Sequence, residues 1–193
     1  MTADFQPGHI HGRSQASLEF ETFWRSLSAK GSVPRKSDFR PDAIASHLKN
    51  IVLVEIHFGS VPNLRIRVAG DAIRERAHAN IAGSNFLDYL PPAYHASAME
   101  SSRLMLTHPC GLWQTSAAHY KRGFAQYMEM TMFPLAPGEG EPPFILVLMQ
   151  PVGGMIEPAS SGHLPFVYDS AAAFEFLDVG AGVPVWPPAV AAS

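Results

Sequence analysis

LRIRVAGDAIRERAHANIAGSNFLDYLP, residues 64–91, is the stretch of the 193-residue chain that decides the fold. Its first residues alternate apolar and basic side chains, which predicts a half-buried strand. Gly70 then ends the strand, a short helix follows, and Gly83 introduces a second reversal, because glycine tolerates conformations and close approaches that a side chain would obstruct. A strand with two small helical pieces at its end predicts one wall and the lid of a cavity.

The segments on either side of this stretch predict an antiparallel sheet. Residues 51–56 form a predicted strand that pairs with residues 64–68 in a hairpin. A longer helix is predicted over residues 93–106, because prolines stand at its start and beyond its end. Strands in a meander, with the helices between them, indicate an α+β fold with a five-stranded antiparallel sheet and short helices on one face. The other three strands of this predicted sheet are at residues 110–120, 123–133 and 143–150.

An amphipathic helix is predicted near the N-terminus, over residues 16–29, from apolar residues at helical spacing. Residues 144–149 contain no polar side chain, which is typical of a strand buried on both faces. Because the other helices cover only one face, we expect the N-terminal helix to cover the other, alone or with its copy from a second subunit. Its apolar residues are the predicted interface of a homodimer: Leu18, Phe20, Phe23, Trp24 and Leu27.

Composition and charge narrow the class of partner. Hydrophobic residues make up 47% of the chain and charged residues only 16%, which leaves apolar surface for a second chain and favours a dimer. The net charge of −3, without a run of basic residues, argues against a nucleic acid or an anionic membrane as partner. No apolar run approaches the roughly 20 residues of a membrane span. The first residues lack a secretory apolar region, so we expect a cytoplasmic protein.

The composition divides the chain into four predicted segments. They are a disordered tail at residues 1–15, a helical cap at 16–48, the sheet core at 49–152, and a linker with a C-terminal extension at 153–193. The extension starts rich in Gly, Ser and Pro and then becomes aromatic again. That change indicates docking on the protein's own sheet edge, on a dimer mate, or on a signalling partner by strand addition.

Several short motifs occur in an order that is specific as a whole. They are Phe23-Trp24 in the first helix, PRKSDFRP at residues 34–41, RVAG at 67–70, IAG at 81–83 followed by Phe86, and the Pro-Leu step at 134–135. In this order, residues 20–151 resemble the stand-alone PAS-domain proteins of bacteria, largely of alphaproteobacteria. The resemblance implies a PAS fold and a sensory or protein-interaction module. The chain departs from the usual family pattern at Asp71, where Thr is common, and at His78, where Gly is common.

The PAS fold implied by this resemblance encloses a cavity between a curved sheet and its short helices. Such cavities are apolar, with a few polar groups that fix the orientation of a ligand. The alternative is a solid core, because Met and aromatic side chains at strand spacing usually pack against each other. The predicted lining residues are Ile66, Val68, Phe86, Tyr89, Leu104, Met105, Trp113, Met128, Met130, Leu146 and Leu148.

Cofactor sites have specific residue requirements. Haem would need an imidazole from the long helix, where His95 is the best candidate. Covalent flavin chemistry would need a thiol in the frame of residues 83–87, which has Phe instead. His9 and His11 lack further ligands for a metal, so no metal site is expected. Cys110 is the only cysteine, which excludes an internal disulfide and predicts a buried free thiol.

Catalytic motifs are missing from the sequence, which contains no nucleophile elbow, zinc-binding His-Glu-x-x-His, phosphate loop or dinucleotide fingerprint. Asp88 and Glu129 would act as acid and base only if the fold brought them together, which no spacing indicates. We therefore predict a non-catalytic sensor that binds a small ligand or a partner protein and transmits through its N-terminal helix. The alternative is a constitutive adaptor with a filled core, contacting a histidine kinase or response regulator. A haem or redox sensor is the weaker alternative.

Overall fold

A six-stranded antiparallel sheet forms the centre of the computed structural model, which describes residues 12–27 and 32–186. The strands are β1 (Ile51–His57), β2 (Asn63–Ala69), β3 (Cys110–Tyr120), β4 (Phe124–Leu135), β5 (Phe144–Ile156) and β6 (Phe166–Asp178). Their spatial order is β2-β1-β5-β4-β3-β6. The predicted α+β class is confirmed, but the sheet has six strands rather than five, because the C-terminal extension pairs with β3.

Helices cover both faces of this sheet. One face carries α1 (Gln15–Ser26), and the other carries α2 (Asp71–Ala77) and α3 (His95–Thr107). We call the face under α1 the outer face and the opposite one the inner face. Four 3-10 helices complete the described part of the chain, at Lys36–Asp38, Pro41–Asn50, Phe86–Tyr89 and Pro92–Tyr94. Residues 28–31, where the predicted first helix would have ended, lie outside the described residues, as do His9 and His11 and most of the predicted tail. Among the described residues, no helix has the length and apolar character needed to cross a membrane.

The N-terminal helix packs on its own sheet. Trp24 stacks on Phe133 of β4 with 5.0 Å between the ring centroids, and its indole N–H donates to the Pro134 carbonyl at 2.9 Å. Leu18 remains 45% exposed, and Leu27 packs partly buried at the edge of the same core. Within one subunit, α1 covers the outer face. The structure therefore places Phe20, Phe23 and Trp24, three residues of the predicted dimer interface, in the core of the subunit itself.

Two glycines in the deciding stretch have different physical roles. A Cβ on Gly70 would lie 2.4 Å from the carbonyl oxygens of Leu48 and Lys49, so the strand end can approach the preceding 3-10 helix only without a side chain. Gly83 adopts a φ of +93°, which side chains disfavour. His78 ends α2 with a φ of 49°, the left-handed conformation for which glycine is preferred. The deciding stretch therefore depends on a close backbone approach at Gly70 and on positive φ angles at His78 and Gly83.

Candidate functional site

A cavity of about 370 Å³ lies between the inner face of the sheet and α3. Its walls come from β1 and β3 to β6, and the deciding stretch contributes Leu64, Phe86 and Leu90. Pockets of this size are typical of small-molecule sites. The apolar lining is rich in flexible side chains, since three methionines face the space: Met130, Met132 and Met149.

The C-terminal extension supplies a wall that the sequence prediction did not assign to the cavity. Tyr168 and Phe174 line it from β6, and Trp186 follows after the strand. The Trp186 ring stacks on Phe174 with 5.5 Å between the centroids. The aromatic alternation of the extension was the available signal for a strand, but nothing local in the sequence identified β3 as its partner. The sequence left open three docking sites for the extension. In the structure, the extension pairs with the edge of the protein's own sheet.

Two of the predicted lining residues, Phe86 and Met130, border the cavity. Three others lie on the outer face beneath α1, because side chains alternate along β3 and β5 and their positions have the opposite parity: Trp113, Leu146 and Leu148. Val68 is 52% exposed, since a bulge in the β1–β2 ladder sets it opposite Leu53 rather than the inner-face residues. The remaining five pack in the inner-face core without bordering the cavity: Ile66, Tyr89, Leu104, Met105 and Met128.

The polar groups along α3 are already satisfied by the protein. Ser101 and Ser102 each donate a hydroxyl hydrogen to the Ala98 carbonyl, at 3.1 and 2.8 Å. The Tyr168 hydroxyl donates to the sulfur of Met149 at 2.9 Å, and burial raises its pKa well above the ordinary value. These groups therefore hold their positions without a ligand.

Among the residues that the structure describes, the cavity lining contains no positively charged side chain. Its one acidic residue, Asp169, accepts a hydrogen bond from His119 Nε2 at 2.8 Å. His119 Nδ1 in turn accepts from the Ala159 amide at 2.6 Å, which assigns the ring proton to Nε2. The electrostatics of the cavity thus suit a neutral ligand.

The described part of the lining also contains no imidazole and no thiol. His95 lies outside it, with Nε2 3.1 Å from the Leu90 carbonyl, so it supplies no axial ligand for haem. Cys110 is fully buried beside the cavity core, and burial, with a smaller contribution from Asp178, raises its pKa to about 12. Within residues 12–27 and 32–186, no cluster of three metal-binding side chains occurs.

A second polar constellation lies on the outer face, at the start of α1. The buried carboxylate of Glu129 accepts hydrogen bonds from the Ser14 amide at 2.9 Å, from Trp113 Nε1 at 2.7 Å and from Gln150 Nε2 at 2.9 Å. The Ser14 hydroxyl, which also caps the helix, is a fourth donor. Glu129 therefore anchors α1 to β4, while the exposed Asp88 belongs to the Phe86–Tyr89 helix.

Comparisons with known proteins bear on the family and the fold. A family model described as a PAS domain matches residues 12–150, more than half of the chain. No curated protein gives a significant match. Among solved structures, a light-oxygen-voltage domain studied with a flavin analogue is 19% identical, with a TM-score of 0.44, covering 58% of this chain and 83% of that one. The dark-state LOV domain of the blue-light photoreceptor Aureochrome1 is 16% identical, with a TM-score of 0.42 over 58% of this chain and 81% of that one. A fungal LOV photoreceptor is 15% identical, with a TM-score of 0.42 over 61% and 94%.

Proposed function

The chain belongs to the PAS domain family, and from that premise we propose that it is a non-catalytic sensory module whose cavity binds a small apolar or amphipathic ligand. The observation that carries the proposal is the cavity of about 370 Å³ with its methionine-rich apolar lining. A cavity of about 150 Å³ holds benzene, so this one accommodates a ligand of roughly 15 non-hydrogen atoms. Haem and flavin nucleotides are larger than that.

Two strands, β3 and β4, each contact both the cavity and the anchorage of the N-terminal helix. On β4, Met130 borders the cavity. Its neighbour Glu129 accepts a hydrogen bond from Ser14, the residue before α1, and its neighbour Thr131 shares one with Ser17 in the first turn. On β3, Gln114 borders the cavity beside Trp113, whose indole donates to Glu129. A ligand that shifts these strands alters the anchorage of α1, provided that it binds the two arrangements with different affinity. The proposed partner that binds α1 is a second copy of the chain, a histidine kinase or a response regulator in the cytoplasm.

The test is retention of a small molecule by the purified full-length chain. We expect the native mass to exceed the denatured mass by that of a molecule of this size, and its removal to increase amide exchange in α1. Ala98→Phe places a ring in the cavity from α3 and should abolish the excess mass. Ala96→Phe adds the same ring to the exposed side of that helix and should leave it unchanged.

Two outcomes would contradict the proposal. The first is a native mass equal to that of the bare chain, together with no binding of an added apolar probe such as pentylbenzene, which supports the constitutive adaptor instead. The second is retention of the molecule by Ala98→Phe with the variant folded, which places the binding site elsewhere.

A further inference from the structure

Resting on the proposed function of the cavity, we propose that its ligand is a neutral amphipathic molecule with one hydroxyl, carbonyl or amide group. Ser116 and Gln114 of β3 bind that group. The two residues are two positions apart on one strand, so their side chains share the inner face.

Ser116 provides the first observation. It is only 2% exposed and borders the cavity, and within the described residues its hydroxyl has no hydrogen-bond partner. This distinguishes it from Ser101 and Ser102, whose hydroxyls donate to a helix carbonyl. In an apolar cavity, a hydroxyl without a protein partner lacks the hydrogen bonds that water supplies in solution. A ligand group in the cavity would restore one.

Gln114 provides the second. Its amide nitrogen lies 3.8 Å from the Met130 sulfur, and a thioether is a weak acceptor. In the described chain, its carbonyl oxygen makes no hydrogen bond. The side chain is thus free to accept from a ligand hydroxyl or to donate to a ligand carbonyl. Together with Ser116, it offers both a donor and an acceptor.

The ladder between β3 and β6 is irregular at the same place. Thr115 pairs with Ala173, Ser116 with Ala171, and Ala118 with Tyr168, so β6 carries extra residues on either side of Ser116. Such bulges interrupt the ladder hydrogen bonds and are frequent beside functional sites. We call the part of the cavity at Ser116 and Gln114 its polar end. Because β6 lies beyond the residues matched by the family model, this polar end is built partly by the C-terminal extension.

The charges around the cavity select the neutral class. A carboxylate or phosphate buried here would find no cationic side chain among the lining residues that the structure describes, and burying an unpaired charge is costly. An ammonium group would have to compete with His119 for Asp169. A neutral polar group needs neither a cationic side chain nor the Asp169 carboxylate as its partner.

The experiment compares three probes of similar size, 1-decanol, decanoate and pentylbenzene, by calorimetric titration of the full-length chain. We expect 1-decanol to bind about fivefold more tightly than pentylbenzene, which corresponds to one net hydrogen bond. Decanoate should bind more weakly than both. Ser116→Ala should remove the preference for 1-decanol and leave pentylbenzene binding intact.

Thr107→Ala is the matched control, since it removes a hydroxyl of α3 that donates to the Arg103 carbonyl and lies outside the cavity. It should leave all three affinities unchanged. Equal binding of 1-decanol and pentylbenzene, or tightest binding of decanoate, would overturn the polar-end proposal while the cavity still functions as a binding site. Failure of every probe, pentylbenzene included, would overturn the proposed function itself.

Discussion

Replacing Glu129 by Gln should loosen the N-terminal helix from the sheet without disturbing the cavity. The carboxylate accepts four hydrogen bonds, two from Ser14 and one each from Trp113 and Gln150. An amide keeps only one accepting oxygen. Its NH₂ group would turn toward the Ser14 hydroxyl and the Gln150 amide, because the hydroxyl can accept and the Gln150 amide can reverse to present its oxygen.

The expected magnitude follows from what the substitution removes. Hydrogen bonds to a charged group contribute about 1 kcal/mol more than neutral ones. Loss of a negative charge at a helix N-terminus costs about 0.3–1 kcal/mol, and more where the site is buried. Glu129→Gln should therefore reduce the free energy of unfolding by about 2 kcal/mol. Glu129→Ala leaves the Trp113 and Ser14 N–H groups buried without an acceptor, and should cost roughly 3–5 kcal/mol.

Urea denaturation measures the global effect, and amide hydrogen exchange of α1 measures the local one. We expect the α1 amides to lose more protection than those of β4 and β5, because the anchor lies at the start of the helix. Glu175→Gln is the control, since the Glu175 side chain is exposed on β6 and makes no hydrogen bond or ion pair in the described chain. If the free energies of unfolding of Glu129→Gln and Glu175→Gln both lie within about 0.5 kcal/mol of the unmodified protein's, the Glu129 carboxylate does not anchor the helix.

Three further outcomes are expected. Gly70→Ala forces a Cβ against backbone carbonyls at 2.4 Å and should destabilise by about 3 kcal/mol in urea denaturation, whereas Gly59→Ala, with open space around its Cβ, should cost far less. The pKa of Cys110, raised to about 12 mainly by burial, keeps its thiol protonated at neutral pH, so a disulfide reagent should label it only in denaturant; rapid labelling of the folded chain would contradict this. Burial also raises the pKa of Tyr168, so the stability that its neutral hydroxyl contributes is complete below about pH 10 and is lost as the pH rises further. Ultraviolet absorbance at alkaline pH follows the ionisation of this tyrosine. We expect the ionisation to coincide with unfolding rather than to precede it.

Much of the fold could be predicted from local sequence because its signals are local. Period-two alternation predicted the strand that ends at Gly70, and the motifs around it indicated the PAS fold. The site was predicted less well. Phe86 and Met130 border the cavity, but Leu146 and Leu148 face the opposite way, since a strand that is apolar on both sides carries no signal for which side faces which layer.

The sequence by itself indicated most of the element types and the two glycines, Gly70 and Gly83, on which the deciding stretch depends. Tertiary structure alone decided that residues 166–178 form a sixth strand on β3, that this strand walls the cavity, and that Glu129 meets the start of α1. The physical reason is that strand pairing and buried hydrogen bonds join residues far apart in the chain. Their energy depends on which partner arrives, and no local pattern records that choice.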